Sequence, residues 1–202
     1  MFCCADTSLA FIINRILPLS YYYDKICSFI NYSYSNETGV VCKAFSNALS
    51  IKLKDYILMI NEIESDYFYN NSNKSSNNNV DIQRLWYLCQ KPLKILESLK
   101  ILTSKCMFLK GGHLINEIYN FYKKTSDIEL QELFQTLLEK AFCPYMLLLK
   151  NWVCYGELDD CFNEFMVYSN IDFTYEYLGE YYNELYWNKK YNLNDLNVIY
   201  FI

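Results

Sequence analysis

Three acidic residues near position 160 are the side chains best placed to do chemistry. Asp159 and Asp160 are adjacent, and Glu164 follows shortly after. Paired carboxylates can hold Mg²⁺ against a diphosphate in helical enzymes of the isoprenoid-synthase kind. Such an enzyme also needs a second acidic cluster and basic residues for the phosphates, and the sequence offers neither. Gly156 just before the acids indicates a loop, so we interpret them as solvated loop acids, with the magnesium enzyme as the lesser alternative.

The remaining reactive side chains are one histidine and nine cysteines. His113 follows two glycines and has no nucleophile-and-carboxylate arrangement around it, so we interpret it as a histidine at a helix start. The cysteines are irregularly spaced without a CxxC pair, which disfavours a zinc site and indicates reduced thiols in an intracellular protein. No phosphate-binding glycine motif is present. We therefore expect no catalytic residue, no cofactor and no metal, and not an enzyme.

Composition predicts an all-α protein. The chain has 202 residues, of which 52% are hydrophobic and 20% charged, with only five glycines and three prolines. Few turn-forming residues favour long helices over many short strands. The net charge of −5 gives no broad attraction to phosphate, so we expect no nucleic-acid partner. The apolar run Leu9–Ile13 is too short to cross a bilayer, which predicts no membrane partner.

Apolar residues recur at helical spacing over most of the chain. The pattern predicts α-helices in antiparallel bundles joined by short loops. Two segments lack it. Residues 1–38 form a poorly defined lead-in, and Asn70–Asn79 is an Asn-rich polar stretch expected to be a mobile loop. The domain organisation expected is therefore a lead-in over 1–38 followed by a helical-bundle domain over 39–202. The predicted helices cover 41–69, 81–108, a short stretch around 114–121, 126–156 and 174–187.

Individual residues predict where these helices start, bend and stop. Pro92 predicts a kink or a break, because proline lacks a backbone donor and clashes with the preceding turn. Gly111-Gly112 is expected to end that helix. Ser126 and Glu129 have the spacing of a capping box, which predicts a helix start. Pro144 leaves open whether one kinked helix or two helices lead to Gly156.

The segment Ala141–Val167, AFCPYMLLLKNWVCYGELDDCFNEFMV, carries the strongest resemblance to a known family. It resembles a conserved run of the γ-tubulin complex component family: Pro-Tyr, then Trp, Gly and an acidic segment ending in Glu-Phe-Met-Val. Cys161 stands where the family commonly has proline. The residues that carry the match are Pro144, Tyr145, Trp152, Gly156, Asp160, Glu164, Phe165, Met166 and Val167.

Three further blocks resemble the same family in the same order. They are Ala48–Glu64, Leu85-Trp86-Tyr87 with the following Pro92, and Tyr182–Tyr191, which includes Tyr186 and Trp187. The Phe-Met-Val and Tyr-Trp pieces are most similar to the component 2 branch, in its N-terminal region. The chain departs from the family in its Asn-rich insert and in its length, because family members are several times longer.

The resemblance implies a structural protein of microtubule nucleation. A helical N-terminal domain of this family packs laterally against other components and builds a ring that presents γ-tubulin. A C-terminal domain, which the resemblance makes responsible for γ-tubulin binding, is expected to be absent from this chain. The implied location is the cytoplasm and the microtubule-organising centre or spindle pole. The alternative is a generic helical interaction module unrelated to tubulin.

Two expectations concern single side chains in the strongest block. Trp152 shares an apolar helix face with Leu138, Tyr145 and Leu149, so we expect it to be a core anchor. We expect Phe165 and Val167 to pack the chain back below Trp152. A buried unpaired carboxylate is costly, so Glu164 should be held by a backbone donor or a basic side chain and point away from the two aspartates.

Overall fold

The computed structural model describes residues 7–35, 38–72, 82–170 and 187–200. These residues are mainly α-helical, which confirms the all-α prediction. Within the described ranges, no helix is both long and apolar enough to cross a membrane. The elements are α1 (Thr7–Ile16), α2 (Pro18–Ser33), α3 (Val40–Ser72), α4 (Ile82–Cys106), α5 (Gly111–Lys124), α6 (Ile128–Tyr155), β1 (Val167–Ser169), β2 (Tyr191–Leu193) and a 3-10 turn at Asp195–Asn197.

The chain divides into two compact units. Unit 1 takes in Met1–Asn31 and Leu49–Ser104, and unit 2 takes in Tyr32–Ala48 and Lys105–Ile202. Unit 1 is held by apolar side chains that are almost completely buried. They come from α2, α3 and α4, and include Leu19, Ile26, Phe29, Leu49, Leu53, Leu96, Leu99 and Leu102.

The lead-in expected to be poorly defined contains α1 and α2. In α2 the buried residues Leu19, Ile26, Phe29 and Ile30 form a narrow stripe along one face. Tyrosine, serine and asparagine fill the remaining positions, so the stripe is too diluted to show as a sustained period. The ordering of this segment comes from burial of the stripe within unit 1.

Helix α3 confirms the helix predicted over 41–69 and continues to Ser72. It therefore takes in the first three residues of the expected Asn70–Asn79 loop, and 73–79 lie outside the described residues. Phe45, Leu49 and Leu53 are buried, whereas Ile57 and Ile60 further along the predicted stripe are exposed. The apolar stripe of α3 is thus core only in its first half.

The two internal prolines do not interrupt their helices. Helix α4 is continuous through Pro92, with Cys89 and Leu96 buried on either side. Helix α6 is continuous through Pro144, so the two-helix alternative is wrong. A proline removes one backbone donor, and burial of the flanking turns can compensate for that loss.

The helix ends differ from two of the expectations. Helix α4 ends at Cys106, and the glycine pair opens α5 instead of closing α4. The N-cap of α6 is Asp127, whose carboxylate accepts the N–H of Glu129 at 3.0 Å, so the cap lies one residue after the predicted Ser126. Gly156 ends α6 as predicted, in a left-handed conformation. The helix predicted over 174–187 lies outside the described residues except for Trp187.

Unit 2 packs α5 against α6 and adds a small sheet. Leu114, Ile115 and Ile118 of α5 are fully buried, and Phe121 meets Phe134 of α6 edge-on at 6.1 Å between ring centroids. Strands β1 and β2 are antiparallel, with Val167 opposite Leu193 and Ser169 opposite Tyr191. The loop between α6 and β1 and the segment after β2 are therefore brought together.

Candidate functional site

The strongest sequence block folds as one continuous feature of unit 2. Pro144, Tyr145 and Trp152 lie on α6, and Gly156 caps that helix. Asp160 to Met166 form the loop that leads into β1, which begins at Val167. We call residues 157–166 the acidic loop.

An aromatic cluster fixes the acidic loop on α6. Phe165 is 1% exposed, and its ring lies 5.5 Å from Tyr145 and 5.8 Å from Trp152 between centroids. Val167 is also buried, which confirms the expected packing of Phe165 and Val167 onto the helix. Trp152 itself is only half-buried, so the core anchor is Tyr145 and not Trp152. Trp152 lies in the last turn of α6.

The Tyr145 hydroxyl connects this cluster to the C-terminal segment. It donates to the carbonyl oxygen of Asn197 at 2.8 Å. Burial raises the pKa of Tyr145 to about 12, although a backbone hydrogen bond with Met166 opposes the shift. The phenol therefore serves as a structural donor and stays protonated at neutral pH.

Glu164 is buried, and its carboxyl oxygens accept backbone N–H groups from two helices. The N–H of Val41 lies 3.2 Å from Oε1 and 3.1 Å from Oε2, and the N–H of Gly111 lies 3.3 Å from Oε1. The expectation that a backbone donor holds Glu164 is confirmed. Burial raises the pKa of Glu164, and the hydrogen bonds from Val41, Gly111 and Val40 work against that shift.

The other two acids of the acidic loop are engaged locally. The Asp160 carboxylate accepts the N–H of Phe162 at 3.2 Å and that of Phe165 at 2.7 Å. Asp159 is exposed and accepts the Cys161 thiol at 3.7 Å. Among the residues that the structure describes, no three metal-binding side chains come together. The carboxyl groups of Asp160 and Glu164 accept hydrogen bonds from backbone N–H groups, as side chains that cap loops and helix starts do.

The remaining signature residues belong to other elements of the chain. Trp86 is on α4 in unit 1, where the Arg15 guanidinium lies 5.6 Å from its ring centroid. Trp187 is 55% exposed and stacks on Tyr191 at 5.7 Å, and Tyr186 lies outside the described residues.

His113 is in the first turn of α5, as expected. Burial raises the pKa of the Cys42 thiol to about 11, helped by nearby Glu164, so this thiol is not a nucleophile.

Sequence reasoning missed two asparagines that hold the C-terminal segment. Asn197 Nδ2 donates to the carbonyl oxygens of Asn163 at 2.8 Å and Phe165 at 3.4 Å. Asn116 on α5 donates to the Val198 carbonyl at 2.7 Å and accepts the N–H of Tyr200 at 3.3 Å. Both residues sit among many other asparagines, so no feature of the sequence distinguishes them.

The outward face of α6 changes character along its length. From Glu129 to Glu139 its exposed residues are polar, among them Glu132, Thr136 and Glu139. After Lys140 they are mostly apolar. We call this second part the outer stripe of α6; it comprises Cys143, Met146, Leu147, Val153 and Cys154, with Lys150 as its charged member.

These features define a mainly helical module in which the buried Glu164 has a structural role and one helix presents an apolar face. The family described as "Gamma tubulin complex component N-terminal" matches residues 2–202. The chain therefore belongs to the γ-tubulin complex component family.

Relatives in several kingdoms are similar to this chain. It is 27% identical to γ-tubulin complex component 2 of Mus musculus over 93% of this chain and 20% of that protein. It is 26% identical to component 3 of Arabidopsis thaliana over 77% of this chain and 19% of that protein. It is 30% identical to spindle pole body component alp4 of Schizosaccharomyces pombe over 46% of this chain and 12% of that protein. The chain thus spans about a fifth or less of the length of each.

Proposed function

We propose that the chain is a structural, non-catalytic module of a γ-tubulin complex, which assembles laterally with the corresponding module of another component. Relatives named component 2 and component 3 both contain this module. Assembly of such modules side by side would build the template for microtubule nucleation. The proposed location is the cytoplasmic microtubule-organising centre or spindle pole, by analogy with the relative named as a spindle pole body component.

The observation that carries this proposal is the outer stripe of α6. Leu147 is 58% exposed and Val153 is 68% exposed, and both sit on a helix that is otherwise well packed in unit 2. Contiguous apolar surface on a folded domain is characteristic of protein–protein contacts. The occupant we propose is the homologous module of another component, since a helix face of this kind fits a second helix.

We propose that another part of the component, a C-terminal domain as the family resemblance implies, binds γ-tubulin itself. The N-terminal family matches residues 2–202 of this chain, which supports that division. We therefore propose that this module contributes to nucleation through its neighbours and not through direct contact with γ-tubulin.

The test is association between this chain and the N-terminal module of component 3, measured by analytical ultracentrifugation. Leu147→Glu places a charge in the apolar contact and should weaken association at least tenfold, because a buried unpaired charge costs more than about 1.4 kcal/mol. Thr136→Glu is the matched control. It adds the same charge on the polar half of α6, one turn before Lys140, and should leave association unchanged.

Two results would contradict the proposal. Equal association of the Leu147→Glu and Thr136→Glu variants would remove the outer stripe as the contact. Failure of the wild-type chain to bind either component 2 or component 3 modules, while folded by circular dichroism, would remove lateral assembly altogether.

A further inference from the structure

Helices α3 and α5 both begin without a side-chain cap of their own. The first N–H groups of a helix have no partner within it and usually receive a polar side chain from the residue just before. Gly39 precedes α3 and has no side chain to offer. Lys110 is the N-cap of α5 and makes no side-chain capping hydrogen bond.

Glu164 provides the missing cap for both helices. Its carboxyl group accepts the N–H of Val41 in the first turn of α3 and the N–H of Gly111 at the start of α5. Its backbone carbonyl also accepts the N–H of Gly112 at 3.4 Å. One residue of the acidic loop thus joins two helix N-termini that are far apart in sequence.

Two glycines leave the space that this arrangement needs. A Cβ at Gly39 would overlap the Glu164 carboxyl group, and a Cβ at Gly111 would overlap the Glu164 backbone. Gly111 also has a φ of 51°, in the left-handed region that favours glycine. The helix starts are therefore shaped to receive Glu164 closely.

The C-terminal segment holds Glu164 in position. Asn163, next to it, has a positive φ of 54°, and its carbonyl is held by Asn197 Nδ2. Asn194 N–H donates to the Met166 carbonyl at 2.6 Å, next to the β1–β2 pairing. The tip of the acidic loop is fixed between α3 and α5 on one side and residues 191–200 on the other.

From this arrangement we propose that Glu164 is a conformational latch. When its carboxyl group is seated, the first turns of α3 and α5 and the docked segment 191–200 form one cooperative element. When it is withdrawn, all three are released together, while the interior of α6 stays folded. A binding partner that displaces the segment 191–200 would therefore release Glu164 and destabilise the first turns of α3 and α5 together.

The experiment is hydrogen–deuterium exchange of the whole chain, followed by mass spectrometry. Glu164→Gln presents an amide donor to backbone donors, and it should speed exchange roughly tenfold or more in peptides covering 40–45, 111–116 and 191–200. Exchange in 130–141 of α6 should stay as in the wild type. Glu157→Gln is the control, because Glu157 is exposed in the same loop and should change none of the three regions.

A second variant displaces the Glu164 carboxyl group by a change in the residue that precedes α3. Gly39→Ala introduces a methyl group where the Glu164 carboxyl group sits, and it should speed exchange in the same three regions. Gly156→Ala is its control: it also replaces a glycine by alanine, here at a φ of 68°, but nothing lies within reach of the added carbon.

The outcomes separate cooperative release from local damage. If Gly39→Ala affects only 40–45, or Glu164→Gln only its own loop, the three regions are independent and the latch is wrong. If Glu164→Gln unfolds the whole chain, with α6 exchanging as fast as the rest, the comparison rests on Gly39→Ala and on Glu164→Asp. The latter keeps the acceptor but shortens its reach; acceleration in the same three regions supports the latch, and any subset of them overturns it.

Discussion

Buried polar side chains are distributed unevenly between the two units. Among the described residues, six buried polar or charged side chains belong to unit 2: Ser33, Thr38, Ser46, Asn116, Glu164 and Asn197. Unit 1 contains one, Thr103. In unit 1, the Thr103 hydroxyl bonds the Lys100 carbonyl of its own helix, whereas Asn116, Glu164 and Asn197 in unit 2 each bond another element.

The two units therefore differ in the kind of interaction that determines their structure. Apolar contacts are not directional, so a core of leucine, isoleucine and phenylalanine tolerates changes of shape that keep its volume. Buried hydrogen bonds fix distance and angle, and a lost partner leaves a polar group unsatisfied. Unit 2 should therefore be more sensitive than unit 1 to substitutions that change chemistry and preserve volume.

The largest effects should come from truncating apolar residues, and here the two units should behave alike. Phe165→Ala in unit 2 removes a ring packed on Tyr145 and should cost about 3–5 kcal/mol, measured by urea unfolding. Leu99→Ala in unit 1 should cost about 2–5 kcal/mol, since Leu99 is 1% exposed. A loss below 1 kcal/mol at Leu99 alone would mean that the core of unit 1 is loosely packed, and the comparison would then fail.

Substitutions that keep the number of side-chain heavy atoms should show different losses of stability in the two units. Asn197→Leu leaves the carbonyls of Asn163 and Phe165 without their donor, at about 1–3 kcal/mol for each buried group left unpaired. Leu99→Met in unit 1 should cost less than about 1.5 kcal/mol. Equal losses for these two variants in urea unfolding would contradict the distinction between the units.

The dependence of stability on alkaline pH tests the burial of one polar group of unit 2, the Tyr145 phenol. The pKa of Tyr145 is raised from 10.0 to about 12, so between these values the unfolded chain loses this proton while the folded chain keeps it. Stability contributed by this group is therefore complete below pH 10 and falls as the pH rises toward 12. Tyr145→Phe should lose less stability over that window than the wild type. Parallel curves for the two proteins would show that the phenol is not buried.

The smallest effect should come from side chains that bond only their own helix. Ser98 Oγ donates to the Lys94 carbonyl at 2.9 Å on an exposed part of α4. Ser98→Ala should change the free energy of unfolding by no more than about 0.5 kcal/mol. A loss as large as that of Asn197→Leu would show that unit 1 also depends on directional bonds.

The sequence predicts those features that depend only on residues within the same helix or at its end. The stripe of α5 and the glycine that ends α6 follow from local spacing. Glu164 was expected to be held because a buried carboxyl group needs a donor, whatever the fold. The identity of the donors, Val41 and Gly111, could not be predicted, because it depends on which helix starts meet in space.

The errors have the same origin. Trp152 shares a helix face with Tyr145, but the spacing along α6 does not reveal that the tertiary structure buries Tyr145 almost completely and Trp152 only in part. Gly111-Gly112 has the composition of a helix end, and the local sequence does not show that the Glu164 carboxyl group accepts the Gly111 N–H at the start of α5. Helix α2 was missed because its buried stripe is narrow and is diluted by tyrosines. In each case tertiary packing overrode a local preference.

The close approach of the Glu164 carboxyl group to Gly39 also has a consequence for how these positions evolve. The two positions are far apart in the gene, yet a side chain gained at position 39 displaces the Glu164 carboxyl group unless the residue at position 164 becomes smaller. Position 111 is restricted by the backbone of residue 164 and by its own positive φ, whatever side chain stands at 164. Among family members, we therefore expect positions 39 and 164 to change together: a lineage that replaces Gly39 should carry a shorter residue at 164 and a new capping side chain ahead of α3. Each step taken alone would pass through a less stable intermediate, so such lineages should be rare.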